Sequence, residues 1–357
     1  MTRKRIAYYI SSHGFGHAAR SAIVLGELAR DYELFITSEI PEAYYRTVVP
    51  EFHFRSAPVD TGCVQADFVT VDQSKSFKNL ADLLSRAEEI SRRETIWLRD
   101  NAIDLVISDA PSIPLKAAAE ARLPSIVMSN FTWHDIYSGF EDAARHSGLV
   151  STLREHYACA TLQVAPQMHV DNTVIPRREE VGLLSLPGEN IRDRIARHAP
   201  REYARRPCIL IYLGQYDSTS LHWAGLAEME EYLFLTRDPV PSWAGSPNLM
   251  VLDETFRFPD LIASSDLVVT KGGYSTLATA FVHGVPVLTC ERTDFKEFEA
   301  VRAYLLGNEI GIILDVRPFY GAKWADSIKK ALNLTVKDKV RLNGEREIHD
   351  LIDRLFQ

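Results

Sequence analysis

The chain has 357 residues, 46% of them hydrophobic and 25% charged, and a formal net charge of −8. That length is enough for two domains with sizeable cores. An acidic balance with no run of five like charges argues against nonspecific nucleic-acid binding, and no apolar run reaches the roughly 18–20 residues of a membrane span.

In chain order, Thr2–Arg5 reads as a solvated lead, too short and polar for a signal peptide. The strands Ile6–Ile10, Glu33–Thr37, Leu105–Ser108 and Ser125–Met128 follow, with a long helical pattern around Leu80–Asp100 between the second and third. Strands alternating with helices imply a parallel α/β sheet. From about 165 to 207 the chain turns proline-rich and charged and reads as a linker with a short helix. A second set then begins: Cys208–Tyr212, Leu233–Thr236, Leu249–Leu252, Leu267–Thr270 and Val285–Thr289 as strands. Ser275–His283, Lys296–Leu306 and Tyr320–Leu332 read as helices. The expected organisation is a Rossmann-like α/β domain over 1–165, a linker over 166–206, and a second such domain over 207–340. A helix within 341–357 would pack back on the first domain. Ligands of such sheets bind in the cleft at the carboxyl ends of the strands. The cysteines 63, 159, 208 and 290 have no C-x-x-C spacing and read as reduced core thiols, so a cytoplasmic location is expected.

The stretch SHGFGHAAR, Ser12–Arg20, closes the first strand. His13 and His17 have the i, i+4 spacing of a two-histidine metal site, but Gly14 and Gly16 are poor helix formers and suggest a turn. No third ligand follows at motif spacing, so no metal is expected. Gly14-x-Gly16-x-x-Ala19, with Glu39 about twenty residues on, also fits a dinucleotide loop. The third reading is catalytic: His17 at a helix start on the cleft rim can take a proton from a hydroxyl, with His13 touching substrate or holding the loop. Asp109, at the end of DLVISD, reaches the same cleft edge. It either orients His17 or caps the helix expected from about Pro111.

A second glycine loop, VVTKGGYSTLATA, joins a strand to a helix opening near Ser275. Lys271, Gly272, Gly273, Ser275 and Thr276 offer close backbone approach, hydroxyls, a positive charge and a helix N-terminus, which together suit an anion. The spacing is not that of a P-loop. Gly214 and Gln215, after the second domain's first strand, face the donor side from the opposite wall. Asp294, Glu297 and Glu299 either grip sugar hydroxyls or serve as helix N-terminal acids. On the first domain, Asp60, Gln65, Asp67 and Asp72 form a polar loop, and Asn130, Trp133 and Tyr137 follow a strand. Gln65, Asp67, Asn130 and Trp133, with His13, are the candidates for the acceptor. Trp133 and Tyr137 read equally well as helix packing.

Two α/β domains with a GFGH loop in one and KGGYST in the other resemble the GT-B fold of nucleotide-sugar glycosyltransferases. HGFGHAAR, DTGCVQADFVTVD, DLVISD, SNFTWHDIY and ASSDLVVTKGGYST resemble the glycosyltransferase-like N-terminal region of plant L-arabinokinases, over about 6–315, without their kinase part. A looser likeness joins the chain to the lipid-linked N-acetylglucosaminyltransferase of peptidoglycan synthesis, whose first glycine loop also ends in a histidine at the position of His17. The resemblance implies a donor diphosphate, most often uridine-linked, at Gly272, Gly273, Ser275 and Thr276, and Gly16 and Lys271 are expected on the donor side as well. It implies inverting transfer with His17 as base; no metal or other cofactor is expected. Plant small-molecule glycosyltransferases pair such a histidine with an aspartate, placed as Asp109 is here. Where many relatives carry a ribose-binding glutamate three residues after the loop threonine, this chain has Thr279. A nucleotide-sugar hydrolase of pseudaminic-acid synthesis shares the glycine–histidine turn and a following basic residue, like Arg20. Water activation by His17, and a sugar-nucleotide-binding module without catalysis, are therefore the alternatives.

Overall fold

The computed structural model describes residues 3–214 and 216–357, and their short apolar runs assemble into two parallel sheets. The first sheet holds β1 (Arg5–Ile10), β2 (Glu33–Thr37), β3 (His53–Arg55), β4 (Leu105–Asp109), β5 (Ser125–Met128), β6 (Leu162–Pro166) and β7 (Arg178–Val181). Its order is β3-β2-β1-β4-β5-β6-β7. The second holds β8 (Cys208–Tyr212), β9 (Leu233–Thr236), β10 (Leu249–Val251), β11 (Leu267–Thr270), β12 (Val287–Cys290) and β13 (Gly311–Leu314). Its order is β10-β9-β8-β11-β12-β13. The central strands are buried on both faces, which is why they read as unbroken apolar runs.

Each sheet reverses its strand order at one place, between β1 and β4 in the first and between β8 and β11 in the second. Such a switch point parts the connections above and below the sheet and leaves a crevice at the strands' carboxyl ends. The loop bearing His13 and His17 follows β1, and Asp109 ends β4. Gly214 follows β8, and Lys271–Gly273 follow β11. Both glycine loops therefore stand at the crevice of their own sheet.

Several sequence expectations change. The stretch read as a linker contains β7, an edge strand whose first three residues are exposed and charged, so it lacks an apolar signature. The Leu80–Asp100 pattern is two helices, Gln73–Leu84 and Ala87–Asp100. They part at Ser85, whose hydroxyl bonds back to Asp82 O (2.8 Å). The Tyr320–Leu332 pattern narrows to the helix Ala325–Ala331, and Tyr320 instead ends a separate helix, Val316–Tyr320, before Gly321. Three of the four cysteines are buried, but Cys159 is exposed. The first helix spans Phe15–Leu28 and so starts three residues before Ala18. Gly14 at φ 77° caps it in a conformation that side chains resist, and Gly16 and His17 lie inside its first turn.

Two segments tie the halves together. The helix Gly344–Phe356 packs on the first domain, with Ile348, Leu351 and Ile352 in the same core as Leu25 and Leu28. His349 Nε2 meets Asp31 Oδ2 at 2.9 Å, and Tyr32 bonds Asp353. The loop 60–72 leaves the first domain and inserts Phe68, with no exposure, into the core of the second. Its ring stacks on Tyr320 (4.8 Å), Val69 O accepts from Arg292 Nε (2.9 Å), and Val71 N donates to Asp294 Oδ2 (2.6 Å). No helix among the described residues is long and apolar enough to cross a membrane.

Candidate active site

The β1–β4 register sets Ile10 against Asp109, and the first turn of helix Phe15–Leu28 stands just beyond. His17 and Arg20, three apart, share a face of that helix and both meet Asp109. His17 Nδ1 lies 2.8 Å from Asp109 Oδ1. Arg20 Nε donates to Asp109 Oδ2 at 2.7 Å, Ser21 Oγ donates to the same oxygen at 2.8 Å, and Arg20 Nη2 bonds Oδ1. Asp109 thus does not cap the next helix, Ile113–Ala121, where Ser112 holds the N-cap position. It has no solvent exposure, His17 has 5% and Arg20 has 3%.

Hydrogen counting fixes the histidine tautomer. Arg20 Nη2 has two hydrogens and three neighbours: Asp109 Oδ1, Ser129 Oγ (2.8 Å) and His17 Nδ1 (2.8 Å). The two oxygens take both hydrogens, so Nδ1 carries its own proton and donates it to Asp109. In the neutral ring that tautomer puts the lone pair on Nε2, the atom a base would use. Burial works against the Asp109 charge, but Arg20 and His17 outweigh it and hold the carboxyl down at about 2.

The network continues across the cleft. Arg20 Nη1 bonds Asn130 Oδ1, and Asn130 Nδ2 donates to Glu297 Oε1 (2.7 Å), the first residue of helix Glu297–Asn308 in the second domain. Ser275 Oγ donates to Gly16 O at 2.7 Å, so the two glycine loops touch. The Lys271–Thr276 loop is built as its residues suggest. Gly272 has φ 84°, and a Cβ there would stand 2.9 Å from Thr289 Oγ1 and Phe298. Helix Tyr274–Val282 begins with no side-chain cap, which leaves its first N–H groups free for a ligand. Thr276 is buried in its first turn, and Thr279 Oγ1 bonds back to Ser275 O (2.8 Å). Lys271 Nζ sits 4.1 Å from the Tyr216 ring centroid, beside Gly214. Burial first, and Arg292 second, push its ammonium down to about 7.

The remaining candidates divide. His13 is half-buried; its Nδ1 accepts from Cys63 N (3.1 Å), and burial with the nearby cations lowers it to about 3. Asp67 accepts from Val69 N and Thr70 N (2.7 Å each) and from Tyr320 OH (3.0 Å), so its carboxylate is occupied by the crossing loop. Asp72 caps the helix Gln73–Leu84, Asp60 takes the Ser11 hydroxyl, and Asp294 holds the crossing loop. Trp133 is 2% exposed and packs at 5.2 Å from His13 and 6.0 Å from His17, while Tyr137 OH bonds Gly62 O (2.7 Å). Gln215 lies outside the described residues. Gln65 Oε1, Thr270 Oγ1, Thr289 Oγ1 and Arg292 Nη2 are buried without a hydrogen-bond partner among them. Buried polar atoms are nearly always bonded, and three of these, on Thr270, Thr289 and Arg292, stand together at the carboxyl edge of β11 and β12, where a polar ligand would meet them.

Sequence reasoning missed Arg20, Ser129 and Arg292 as site residues. The i, i+3 spacing from His17 was the available signal for Arg20; nothing in local pattern marked the others. Among the described residues no group of three or more His, Cys, Asp or Glu side chains could hold a metal ion. A cavity of about 480 Å³ opens farther along the domain interface between Met168–Asp171 and the helix bearing Glu299 and Tyr304. It adjoins the chemistry through Asn130, whose Nδ2 is 3.5 Å from Met168 O, and does not include His17.

No protein-family model matches the chain. It is 27% identical over 345 residues to L-arabinokinase of Arabidopsis thaliana, covering 95% of this chain and 33% of that one, so it spans about a third of that relative's length. In structure it is similar to the glycotransferase of kitacinnamycin, at TM-score 0.69, 15% identity and 99% of both chains. It is similar also to MurG of Acinetobacter baumannii, at TM-score 0.62, 12% identity, 99% of this chain and all of that one. The two parallel-sheet domains are those of the GT-B fold.

Proposed function

We propose that the protein is an inverting glycosyltransferase that moves a sugar from a nucleotide-diphospho sugar to an acceptor hydroxyl. The observation that carries this reading is the His17–Asp109 pair, 2.8 Å apart, beside a first glycine loop that touches the second through Ser275 Oγ and Gly16 O. Nε2 of His17 takes the acceptor proton while the acceptor oxygen bonds to the anomeric carbon. The carbon–phosphate oxygen bond breaks on the opposite side, which inverts the carbon. Asp109 stabilises the imidazolium that forms. The leaving diphosphate rests on the N-terminus of helix Tyr274–Val282, with Lys271 and Thr276 beside it. Uridine is the first nucleotide to test, as the resemblance implies.

The test is mass spectrometry of products from a panel of nucleotide sugars, with and without candidate acceptors, on wild type and His17→Ala. Transfer predicts an acceptor-dependent product and a roughly 10²–10⁴-fold lower turnover in the variant, with nucleotide affinity kept. Free sugar formed at the same rate without acceptor would replace this reading by hydrolysis. Wild-type turnover in His17→Ala would remove the base.

A further inference from the structure

We infer that the sugar transferred carries a carboxylate, and that the guanidinium of Arg292 binds it. This rests on the donor reading above and adds the class of sugar. Arg292 follows β12, is 6% exposed, and spends Nε on Val69 O at 2.9 Å. Its Nη2 is buried with no hydrogen-bond partner among the described residues. The nearby acids are engaged elsewhere: Asp294 on Val71 N, Glu297 on Asn130, and Glu291 on Arg302. A buried guanidinium with no ion-pair partner among the described residues is costly, so this side chain is suited to an anion supplied by a ligand.

Arg292 is near enough to Lys271 to depress its ammonium, so the diphosphate is the competing anion, but it is centred elsewhere. It belongs opposite the helix that follows β11, and β12 is the next strand over, with Thr289 level with Thr270. Strand spacing sets the Arg292 loop about 5 Å to one side. That side is where the reacting carbon must lie. Arg292 stands 4.7 Å from the Phe295 ring, Phe295 is 5.8 Å from Phe131, and Phe131 is 5.6 Å from His17. The opposite flank, after β8, carries Gly214 and Tyr216 and is left for the nucleoside. A group that lies beyond the phosphates, between His17 and the β12 loop, is the sugar, and a carboxylate on it completes the guanidinium fork.

The experiment is calorimetric binding of UDP, UDP-glucose and UDP-glucuronate, and of GDP, GDP-mannose and GDP-mannuronate, to wild type, Arg292→Gln and Arg292→Lys. The expected result is that wild type binds the uronate form of its nucleotide roughly ten- to a hundredfold tighter than the neutral form. Arg292→Gln removes that difference and leaves the bare nucleoside diphosphate unchanged, while Arg292→Lys keeps part of it. Equal affinity of wild type for the two sugars overturns the inference, even where Arg292→Gln fails to fold. An equal loss of affinity for the bare nucleoside diphosphate also overturns it, because the guanidinium then meets the diphosphate. If neither UDP nor GDP binds, a displacement assay with ADP and TDP decides the donor reading first. Failure of all four removes that reading and this one together, whereas nucleotide binding without a uronate preference removes only this one.

Discussion

Asp109→Asn is the most telling single change. The carboxylate is fully buried and takes hydrogen bonds from His17, Arg20 and Ser21. An amide keeps one acceptor oxygen, and its NH₂ faces a donor where the second oxygen was. Arg20, 3% exposed, then keeps a buried charge with only Ser129, Asn130 and the more distant Glu297 to answer it. Breaking one partner of a buried pair costs about 3–5 kcal/mol. The descent of the Asp109 carboxyl from 3.8 to about 2 is worth about 2 kcal/mol by itself, below that range, and the stranded Arg20 charge supplies the rest. Because the folded value is the lower one, this part of the stability is present above pH ~4 and is lost as the pH falls toward 2. The predicted outcome is a melting temperature roughly 4–7 °C lower at pH 7, with a smaller gap from wild type at pH 3. Turnover falls roughly 10³–10⁴-fold as the histidine loses its tautomer. Arg20→Met added to Asp109→Asn removes the stranded charge, so the double variant recovers part of the stability and none of the turnover. Calorimetric melting and initial rates of the four proteins give the cycle. An Asp109→Asn protein that melts with wild type, or a double variant no more stable than the single, would refute the reasoning.

Three further outcomes are expected. The lowered Lys271 ammonium is mostly neutral at pH 8, and a bound diphosphate pulls it back toward the charged form. Nucleotide binding at pH 8 should therefore take up close to one proton, seen as heats that change with buffer ionisation enthalpy, and almost none at pH 5.5; identical heats in all buffers at pH 8 would contradict this. In the unliganded protein the same group makes stability rise with pH between about 7 and 10.5, since the unfolded chain holds that proton longer. Phe68→Ala should cost about 3–5 kcal/mol and make the loop 60–72 the first site of limited proteolysis, unlike any other loop of wild type.

The sequence made most of the scaffold readable because buried parallel strands are short, apolar and bounded by turns. Glu33–Thr37, Ser125–Met128, Cys208–Tyr212, Leu233–Thr236 and Leu267–Thr270 stand where their side chains suggest. The edge strand Arg178–Val181 did not show itself, since a strand with one buried residue carries no apolar period. His17 and Asp109 could be paired on paper because both sit at strand ends beside a switch point. Arg20 as their third member needed a helix that starts at Phe15, and the glycines of the loop had argued for a later start. Arg292 needed the crossing of a loop from the other domain, since its Nε partner is Val69 O, and no local pattern carries a contact over that separation.

That crossing loop also bears on how the chain is made. Phe68 belongs to the first half to leave the ribosome, yet its resting place among Phe319, Tyr320 and Trp324 is synthesised near the end. During elongation the early half must hold a bare aromatic side chain in water, or in a chaperone, until the late half arrives. A gene cut between β7 and β8 would accordingly yield two fragments with matching faults: one with a phenylalanine that has nowhere to go, the other with a phenylalanine-sized hole in its core.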